Sequence, residues 1–269
     1  MRSKIGMNRT STLGLTGLVL AALVSASIVA SPVTSSAATS PTVVTIQFDD
    51  GNANQYLARG ILSFYGMHAT FYVNSGVIED GAHLTWSQLA DLAADGNEIA
   101  SHTLFHTNIK KLKTAAARQA VCGDRVNLFN HGFQTVSFAY PFGSFDAGSE
   151  AVVQACGFNS GRGVSGVDGR RVFAETIPPL DAYGTRTPPN PKQSTTLTTI
   201  EGYVTAAVAN GGGWVQLVFH NICSACDAYS ITEADFTSLL AWLQSQGPAV
   251  TVATTAQVVG GPPQPLVQP

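Results

Sequence analysis

The sequence predicts an α/β fold, a distorted or incomplete (β/α) barrel with about seven parallel strands in a single domain. Short runs rich in β-branched and aromatic residues alternate with segments of helical periodicity along the chain. About seven such strand–helix units fit the length that follows the first 38 residues. This number favours a barrel over an open sheet.

The first 38 residues have the features of an export signal. Arg2, Lys4 and Arg9 form a basic start, residues 13–30 are apolar or small, and Ser36-Ala37-Ala38 offers small residues for cleavage. Retention as a membrane anchor is the alternative, but the Ser, Thr and Gly content of the segment favours removal.

We therefore expect three segments: a removed signal peptide (1–38), one folded domain (39–259) and a Pro/Gly-rich, linker-like tail (260–269). The processed protein is expected to be secreted or cell-wall associated, with no stable membrane association. We also expect it to be a monomer.

Charge and cysteine content restrict the partners. The chain has 14 Lys and Arg against 17 Asp and Glu, and three of the basic residues lie in the leader, so the processed protein carries a net charge of −6. An acidic exported protein is a poor candidate for binding nucleic acid. Four cysteines in an exported chain favour the disulfides Cys122–Cys156 and Cys223–Cys226. Zinc or redox chemistry at the second pair is the alternative, although a zinc ribbon needs another close pair.

The predicted elements follow one another in βα order. Apolar runs predict strands at 43–48, 68–73, 98–100, 135–139, 214–219 and 249–253, and a strand or loop at 158–164. Helical spacing and end signals predict helices at 54–64, 85–95, 114–129, 149–156, 198–209 and 232–246. Capping boxes are predicted at Thr85–Gln88 and Thr198–Glu201. Five prolines predict an irregular excursion over 172–194.

Two adjacent carboxylates, Asp49 and Asp50, follow the first predicted strand directly and precede Gly51. The carboxyl ends of strands are where α/β folds place their active sites. Successive strand residues point to opposite sides, so we expect one carboxylate to hold a metal while the other polarises a water. A solvated Asp-Asp-Gly turn is the alternative.

His102 and His106 follow the third predicted strand, four residues apart. On a helical turn both imidazoles would face one way, so the pair could bind a divalent metal together with Asp50 and leave an open position for water. An incidental histidine pair is the alternative. His220 follows a late strand in the same manner, and three such strand ends favour a single site.

Four motifs give residues 43–259 a resemblance to the polysaccharide deacetylases of carbohydrate esterase family 4. The motifs are Gln47-Phe48-Asp49-Asp50-Gly51, Ser101-His102-Thr103-Leu104-Phe105-His106, Phe138-Ala139-Tyr140-Pro141-Phe142-Gly143 and Leu217-Val218-Phe219-His220. The resemblance implies a distorted (β/α) barrel. It also implies hydrolysis of acetyl groups on N-acetylated sugars or, in some members, on O-acetylated xylan. The expected partner is therefore an acetylated glycan.

Carried over position by position, the resemblance makes Asp50, His102 and His106 the metal ligands. It makes Asp49 the general base and His220 the general acid. The expected cofactor is a divalent metal, zinc above all, and the ligand set also suits cobalt or nickel.

The resemblance also implies substrate contacts. It assigns the Phe142 backbone N–H to the oxyanion, with Tyr140 beside it, and Leu217 to the pocket for the acetyl methyl. The family's third motif often carries an arginine that orients the base, whereas this chain has Ala139 there. We hypothesise that Arg162 supplies that charge, and a solvated loop arginine is the alternative.

Two other classes of function stay open. One is a non-catalytic carbohydrate-binding barrel, against which the presence of both proton-transfer residues argues. The other is a metallohydrolase of phosphate or peptide bonds, for which a second carboxylate-rich metal set and an HExxH helix are missing. The family's fourth motif is not visible, and Asp181 is its weak candidate. The sequence does not distinguish chitin oligomers, peptidoglycan, poly-N-acetylglucosamine and acetylxylan as substrates.

Overall fold

A computed structural model describes residues 41–269, and the predicted signal peptide lies outside this range. The strands are β1 (Thr42–Phe48), β2 (Ala69–Val73), β3 (Glu98–Ser101), β4 (Ser137–Ala139), β5 (Ser160–Gly166), β6 (Thr185–Thr187), β7 (Gly213–Phe219), β8 (Asn221–Ile222), β9 (Ser230–Ile231) and β10 (Val250–Val252). The α-helices are α1 (Ala58–Tyr65), α2 (Trp86–Ala94), α3 (Thr114–Asn130), α4 (Ala147–Ala155), α5 (Leu197–Ala209), α6 (Glu233–Ser245) and α7 (Thr255–Val259). None of the helices in residues 41–269 is long and apolar enough to cross a bilayer.

The main sheet is a curled series of parallel strands. Its order is β7-β1-β2-β3-β4-β5-β6, and β10 pairs with the first three residues of β1. Within the described residues no ladder joins β6 to β7, and the Gln216 amide donates to the Arg186 carbonyl between them at 2.9 Å. The predicted single α/β domain with a distorted barrel is therefore confirmed.

Alternation along β1 separates an apolar outside from a polar inside. The outward residues pack with α1, α2 and α6 in the main apolar cluster; they are Val44, Ile46 and Phe48. On the inside, the Gln47 amide donates to Thr45 at 2.8 Å and to Gln216 at 2.9 Å. Asp49 continues this inward series because side chains alternate with a period of two.

Several short elements were not predicted. The excursion over 172–194 contains β6, and neither the pair β8–β9 nor α7 was expected. These elements have only two to five residues, so tertiary pairing rather than periodicity defines them. The capping box at Thr198 is also wrong, since Thr196 caps α5 by accepting from the Thr199 N–H.

The tail, expected to be linker-like, is bound to the barrel. The Arg125 guanidinium donates to the carbonyls of Gln264 at 2.7 Å and Pro265 at 2.9 Å. The Asn159 amide donates to the Gly260 carbonyl at 3.2 Å, and Val267 packs against the apolar cluster between α3 and α4. Residues 260–269 therefore belong to the folded body.

Both predicted cysteine pairs lie at disulfide distance. The Cys122–Cys156 pair links α3 to the residue after α4 and is fully buried, whereas Cys223–Cys226 lies in the loop after β8. No free cysteine is left in residues 41–269.

The two bridges should differ in their contribution to stability. Replacing Cys122 and Cys156 by alanine should lower the free energy of unfolding by roughly 3–4 kcal/mol, because the bridge closes a long loop in the unfolded chain. Replacing Cys223 and Cys226 should cost much less, since that loop is short. Chemical denaturation of both double variants measures the difference. Four alkylatable thiols in the native protein would refute both bridges.

Candidate active site

The site is assembled at the carboxyl edge of the sheet, where three predicted strand ends meet. Asp49 and Asp50 follow β1, His102 follows β3 and His220 follows β7. Because β1 pairs with β7 along its whole length, the two strands end side by side. The buried Gln55 amide joins these ends by donating to the Asp49 carbonyl at 2.5 Å and to the His220 carbonyl at 2.7 Å.

A sharp backbone turn separates the two carboxylates. Asp50 has φ 76° and Gly51 φ 75°, both in the left-handed region. A Cβ at Gly51 would lie 3.1 Å from the Val73 Cγ1, so glycine also permits close approach to β2. The turn points Asp50 toward the histidines, while Asp49 stays in the barrel interior.

His102 and His106 lie on an irregular loop, so the predicted helical turn is wrong. Thr103 and His106 both have left-handed backbones, with φ 69° and 51°. The buried Asn74 amide donates to the carbonyls of His102 at 2.5 Å and Thr103 at 2.9 Å. The Thr103 hydroxyl accepts from the Thr107 N–H at 2.9 Å. These tertiary and local hydrogen bonds, rather than a helix, bring the two imidazoles together.

The three predicted ligands have the spacing that one metal ion requires. The Asp50 Oδ1 lies 3.5 Å from the His102 Nε2 and 3.3 Å from the His106 Nε2. One donor atom from each residue lies within 4.8 Å of the others. Two ligand atoms on a tetrahedral zinc are about 3.4 Å apart, given metal–ligand distances of about 2.1 Å.

Two further observations favour a cation among these groups. The Asp50 Oδ1 is buried and has no hydrogen-bond partner, as expected of an atom whose partner is an ion. The His102 Nδ1 lies 2.8 Å from the Ala139 carbonyl, and this contact fixes the tautomer that leaves Nε2 free to coordinate. The residues therefore fit a divalent metal.

The electrostatics favour the metal-binding forms of Asp50 and His106 but not that of His102. Burial alone would lower the pKa of the His102 imidazole, but the charges of Asp49 and Asp50 outweigh burial and raise it. Burial alone would raise the pKa of the Asp50 carboxyl, but the neighbouring His102 and the charges of His220 and His106 outweigh burial and hold that pKa below its usual range. Burial and the His102 charge lower the pKa of the His106 imidazole. An ionised carboxylate and a neutral imidazole are the forms that bind metals.

Asp49 is held apart from the ligands by Arg162. Its carboxylate is 3% exposed and forms an ion pair with the Arg162 guanidinium, which is 1% exposed. Arg162 also lies over the Tyr72 ring, 4.9 Å from the centroid, and its other amino group donates to the Gly163 carbonyl at 3.1 Å. The hypothesised contact between Arg162 and Asp49 is therefore present, and Arg162 is not a solvated loop residue.

An open cleft of about 540 Å³ contains the centre. Its lining includes both aspartates, the two predicted histidine ligands, His220, Phe142 and Tyr229. The Phe142 ring lies 4.5 Å from the His106 ring, and the residue has a left-handed backbone with φ 62°. The His220 Nδ1 is buried without a hydrogen-bond partner.

Three predicted residues lie elsewhere. The Tyr140 side chain is buried between α3 and α4, and its hydroxyl donates to the Tyr183 carbonyl at 2.8 Å. Leu217 faces outward into the main apolar cluster. Asp181 accepts from the Tyr183 N–H at 2.9 Å and is not part of the cleft lining. Tyr140 and Leu217 therefore do not line the cleft with their side chains.

Several cleft residues were not predicted. Asn52 donates to the His220 carbonyl at 3.2 Å, and Asn190, Asp227 and Tyr229 lie on the walls. Asn52 follows the Asp-Asp-Gly motif directly, which was the one available signal. The other three lie on loops without motif or periodicity.

The barrel carries, at its strand ends, a cluster of residues that fits a divalent metal. Residues 36–161 match the sequence model of the polysaccharide deacetylase family. This match agrees with the resemblance that the motifs carry. The Bacillus subtilis (strain 168) protein YxkH, whose name describes a candidate polysaccharide deacetylase, is 33% identical over 125 residues, which are 45% of this chain and 44% of YxkH. The chain thus spans less than half the length of this relative.

Solved structures share the barrel. A family 4 acetyl xylan esterase from Clostridium thermocellum, in complex with a cobalt ion, aligns with a TM-score of 0.55 at 20% identity over 81% of this chain and 90% of that one. A peptidoglycan N-acetylglucosamine deacetylase aligns with a TM-score of 0.56 at 11% identity, over 84% of this chain and 92% of that one. A mutant described as a CE4 family pseudoenzyme with restored enzymatic activity aligns with a TM-score of 0.52 at 16% identity, over 82% of this chain and 69% of that one. At these identities the likeness establishes the fold alone.

Proposed function

We propose that the chain is a metal-dependent deacetylase, which hydrolyses acetyl groups on an N-acetylated or O-acetylated glycan. The observation that carries the proposal is that two neighbouring carboxylates contact different partners. Asp50 lies with His102 and His106 in metal-ligand geometry, whereas Asp49 is paired with Arg162 in the same cleft. The match of residues 36–161 to the polysaccharide deacetylase model supports the same reaction.

Asp50, His102 and His106 would hold the metal, and their donor set suits zinc, with cobalt and nickel as alternatives. A bound divalent ion increases the acidity of a water molecule and polarises an acetyl carbonyl. Three protein ligands leave a position in the open cleft for these reactants.

The chain's own groups would move the protons. Asp49 accepts a proton from the attacking water, whose oxygen forms the new bond to the acetyl carbon. The Phe142 backbone N–H, by analogy with the family, stabilises the oxyanion. His220 then donates a proton to the sugar nitrogen as the C–N bond breaks, because an amide nitrogen leaves poorly as an anion. Acetate and a free amine are the products.

The remaining expectations belong to this proposal. The partner would be an acetylated glycan outside the cell, and the processed protein would act as a secreted or wall-associated monomer. The buried disulfide Cys122–Cys156 and the loop disulfide Cys223–Cys226 are both compatible with an oxidising compartment.

Acetate release tests the proposal directly. The purified protein should release acetate from at least one of chitin oligomers, peptidoglycan, poly-N-acetylglucosamine and acetylxylan. A chelator should abolish the release, and zinc or cobalt should restore it, because the proposed reaction needs the metal to activate the water and polarise the acetyl carbonyl. Metal analysis should show one ion per chain, in line with the single cluster found in residues 41–269.

A matched pair of histidine variants sharpens the test. His106→Ala should lower the metal content sharply, whereas His83→Ala, which removes a half-buried imidazole 2.9 Å from Asp80, should leave it unchanged. Full occupancy in His106→Ala would refute the ligand assignment. Full occupancy in the wild type without acetate release from any of the four substrates would instead favour a non-catalytic carbohydrate-binding protein.

A further inference from the structure

Tyr229 presents an exposed aromatic ring in the cleft, beside His220. The side chain is 38% exposed, and its ring centroid lies 5.1 Å from that of His220. An exposed ring on a cleft wall offers an apolar face to a ligand that enters the cleft.

The backbone at Tyr229 is fixed by the loop that carries it. Its N–H donates to the Asp227 carboxylate at 2.8 Å, and its carbonyl accepts from the Asn221 N–H at 3.2 Å. The disulfide Cys223–Cys226 closes the loop between the paired strands β8 and β9. The Lys192 ammonium lies 5.7 Å from the ring centroid. A ring held in this way loses little conformational entropy when a ligand packs on it.

The cleft contains a second exposed ring and an unpaired acceptor. Phe142 is 68% exposed and lies against His106. The Asn190 side chain also lines the cleft, and its Oδ1 is buried without a hydrogen-bond partner. A ligand hydroxyl would satisfy that oxygen, since buried polar atoms are normally paired. The volume, about 540 Å³, exceeds what a lone acetyl group needs.

We propose that Tyr229 is a sugar-binding platform that packs against a pyranose ring of a neutral oligosaccharide, with Asn190 accepting from a ring hydroxyl. The inference deepens the proposed function and rests on it, because the proposed reaction sets the orientation of the sugar in the cleft. The leaving group in deacetylation is the sugar itself, which must lie on the side of the general acid His220, next to Tyr229. The apolar face of a pyranose ring matches an aromatic face, while its hydroxyls stay available to polar groups. The Asp227 carboxylate in the cleft disfavours an anionic sugar.

Binding of neutral chains that lack acetyl groups tests the platform without turnover. Xylotetraose and cellotetraose, titrated calorimetrically into the metal-loaded protein, should bind the wild type and bind Tyr229→Ala roughly tenfold more weakly. Tyr229→Phe keeps the ring and should stay within about twofold of the wild type. Phe64→Ala removes a more exposed aromatic on α1, outside the cleft, and should bind as the wild type does.

Kinetics separate the platform from the reaction. On an acetylated tetrasaccharide, Tyr229→Ala should raise KM by a larger factor than it lowers kcat, whereas Phe64→Ala should change neither value. Equal tetraose affinity in Tyr229→Ala and the wild type, or no binding by the wild type, overturns the platform even if acetate is released. Ring-dependent tetraose binding without acetate release from any substrate supports the platform and overturns the deacetylase proposal instead.

Discussion

Asp49→Asn should stop turnover and leave the metal site full, whereas Asp50→Asn should empty it. The expected loss in Asp49→Asn is roughly 10²–10⁴ in rate, the usual contribution of a positioned general base. The reason is geometric. The Asp49 carboxylate contacts Arg162, and the Asp50 carboxylate faces the two histidine ligands.

Neither substitution should distort the turn. Asparagine tolerates the left-handed backbone that Asp50 adopts, and it keeps one oxygen of similar shape at each position. Asp50→Asn replaces a charged ligand by a neutral one, so metal affinity should fall and activity should partly return at high metal concentration. Asp49→Asn leaves the Arg162 charge buried and unpaired, so a lower melting temperature is also expected.

Metal content and turnover measured side by side decide the assignment. His220→Ala should resemble Asp49→Asn in keeping the metal and losing amide hydrolysis. Its loss should be smaller on an aryl acetate, whose leaving group needs no proton. If Asp49→Asn emptied the site while Asp50→Asn kept it full, the two roles would be reversed.

The period of two in β strands bears on the Asp49–Asp50 pair and on Leu217. It separated the roles expected for Asp49 and Asp50, and the structure places the two carboxylates on different partners. Applied to β7, the same period assigns Gln216 and His220 to the inside and Leu217 to the outside, where Leu217 is found. Its placement near the acetyl methyl came from the family motif and conflicts with this alternation.

Loop geometry is what the sequence did not predict. The spacing of His102 and His106 indicated a helical turn, but the loop has left-handed residues and depends on Asn74, which lies on another strand connection. Tyr229 and Asn190 reach the cleft through loop packing. No local signal marks such contacts, because they join segments far apart in the chain.

Strand register places Arg162 beside the position where the family often carries an arginine. Ala139 on β4 pairs with Arg162 on β5, so the two positions are direct neighbours across the ladder. Both are buried in the barrel. An arginine on either strand can therefore reach the same layer of the barrel interior. A motif read along one strand does not show which residue of the next strand lies beside it.

Arg162→Met should consequently cost both stability and rate. Removing one partner of a buried ion pair leaves the Asp49 carboxylate uncompensated, which is expected to cost roughly 3–5 kcal/mol in the free energy of unfolding. Loss of the orientation of the base should lower kcat on the order of 10²-fold, with metal content unchanged. Chemical denaturation, metal analysis and acetate release on one preparation give the three values.

Arg186→Met is the matched control, because Arg186 also pairs with a buried carboxylate, Glu175, at 2.8 Å, and neither residue lines the cleft. It should destabilise the fold without a specific loss of kcat in the fraction that stays folded.

The double variant Ala139→Arg/Arg162→Ala returns the arginine to the position where the family often carries one. If Arg162 acts by orienting Asp49, the double variant should recover a substantial part of the kcat lost in Arg162→Ala. An Arg162→Met protein that is destabilised but turns over at the wild-type rate would show that the ion pair serves the fold alone.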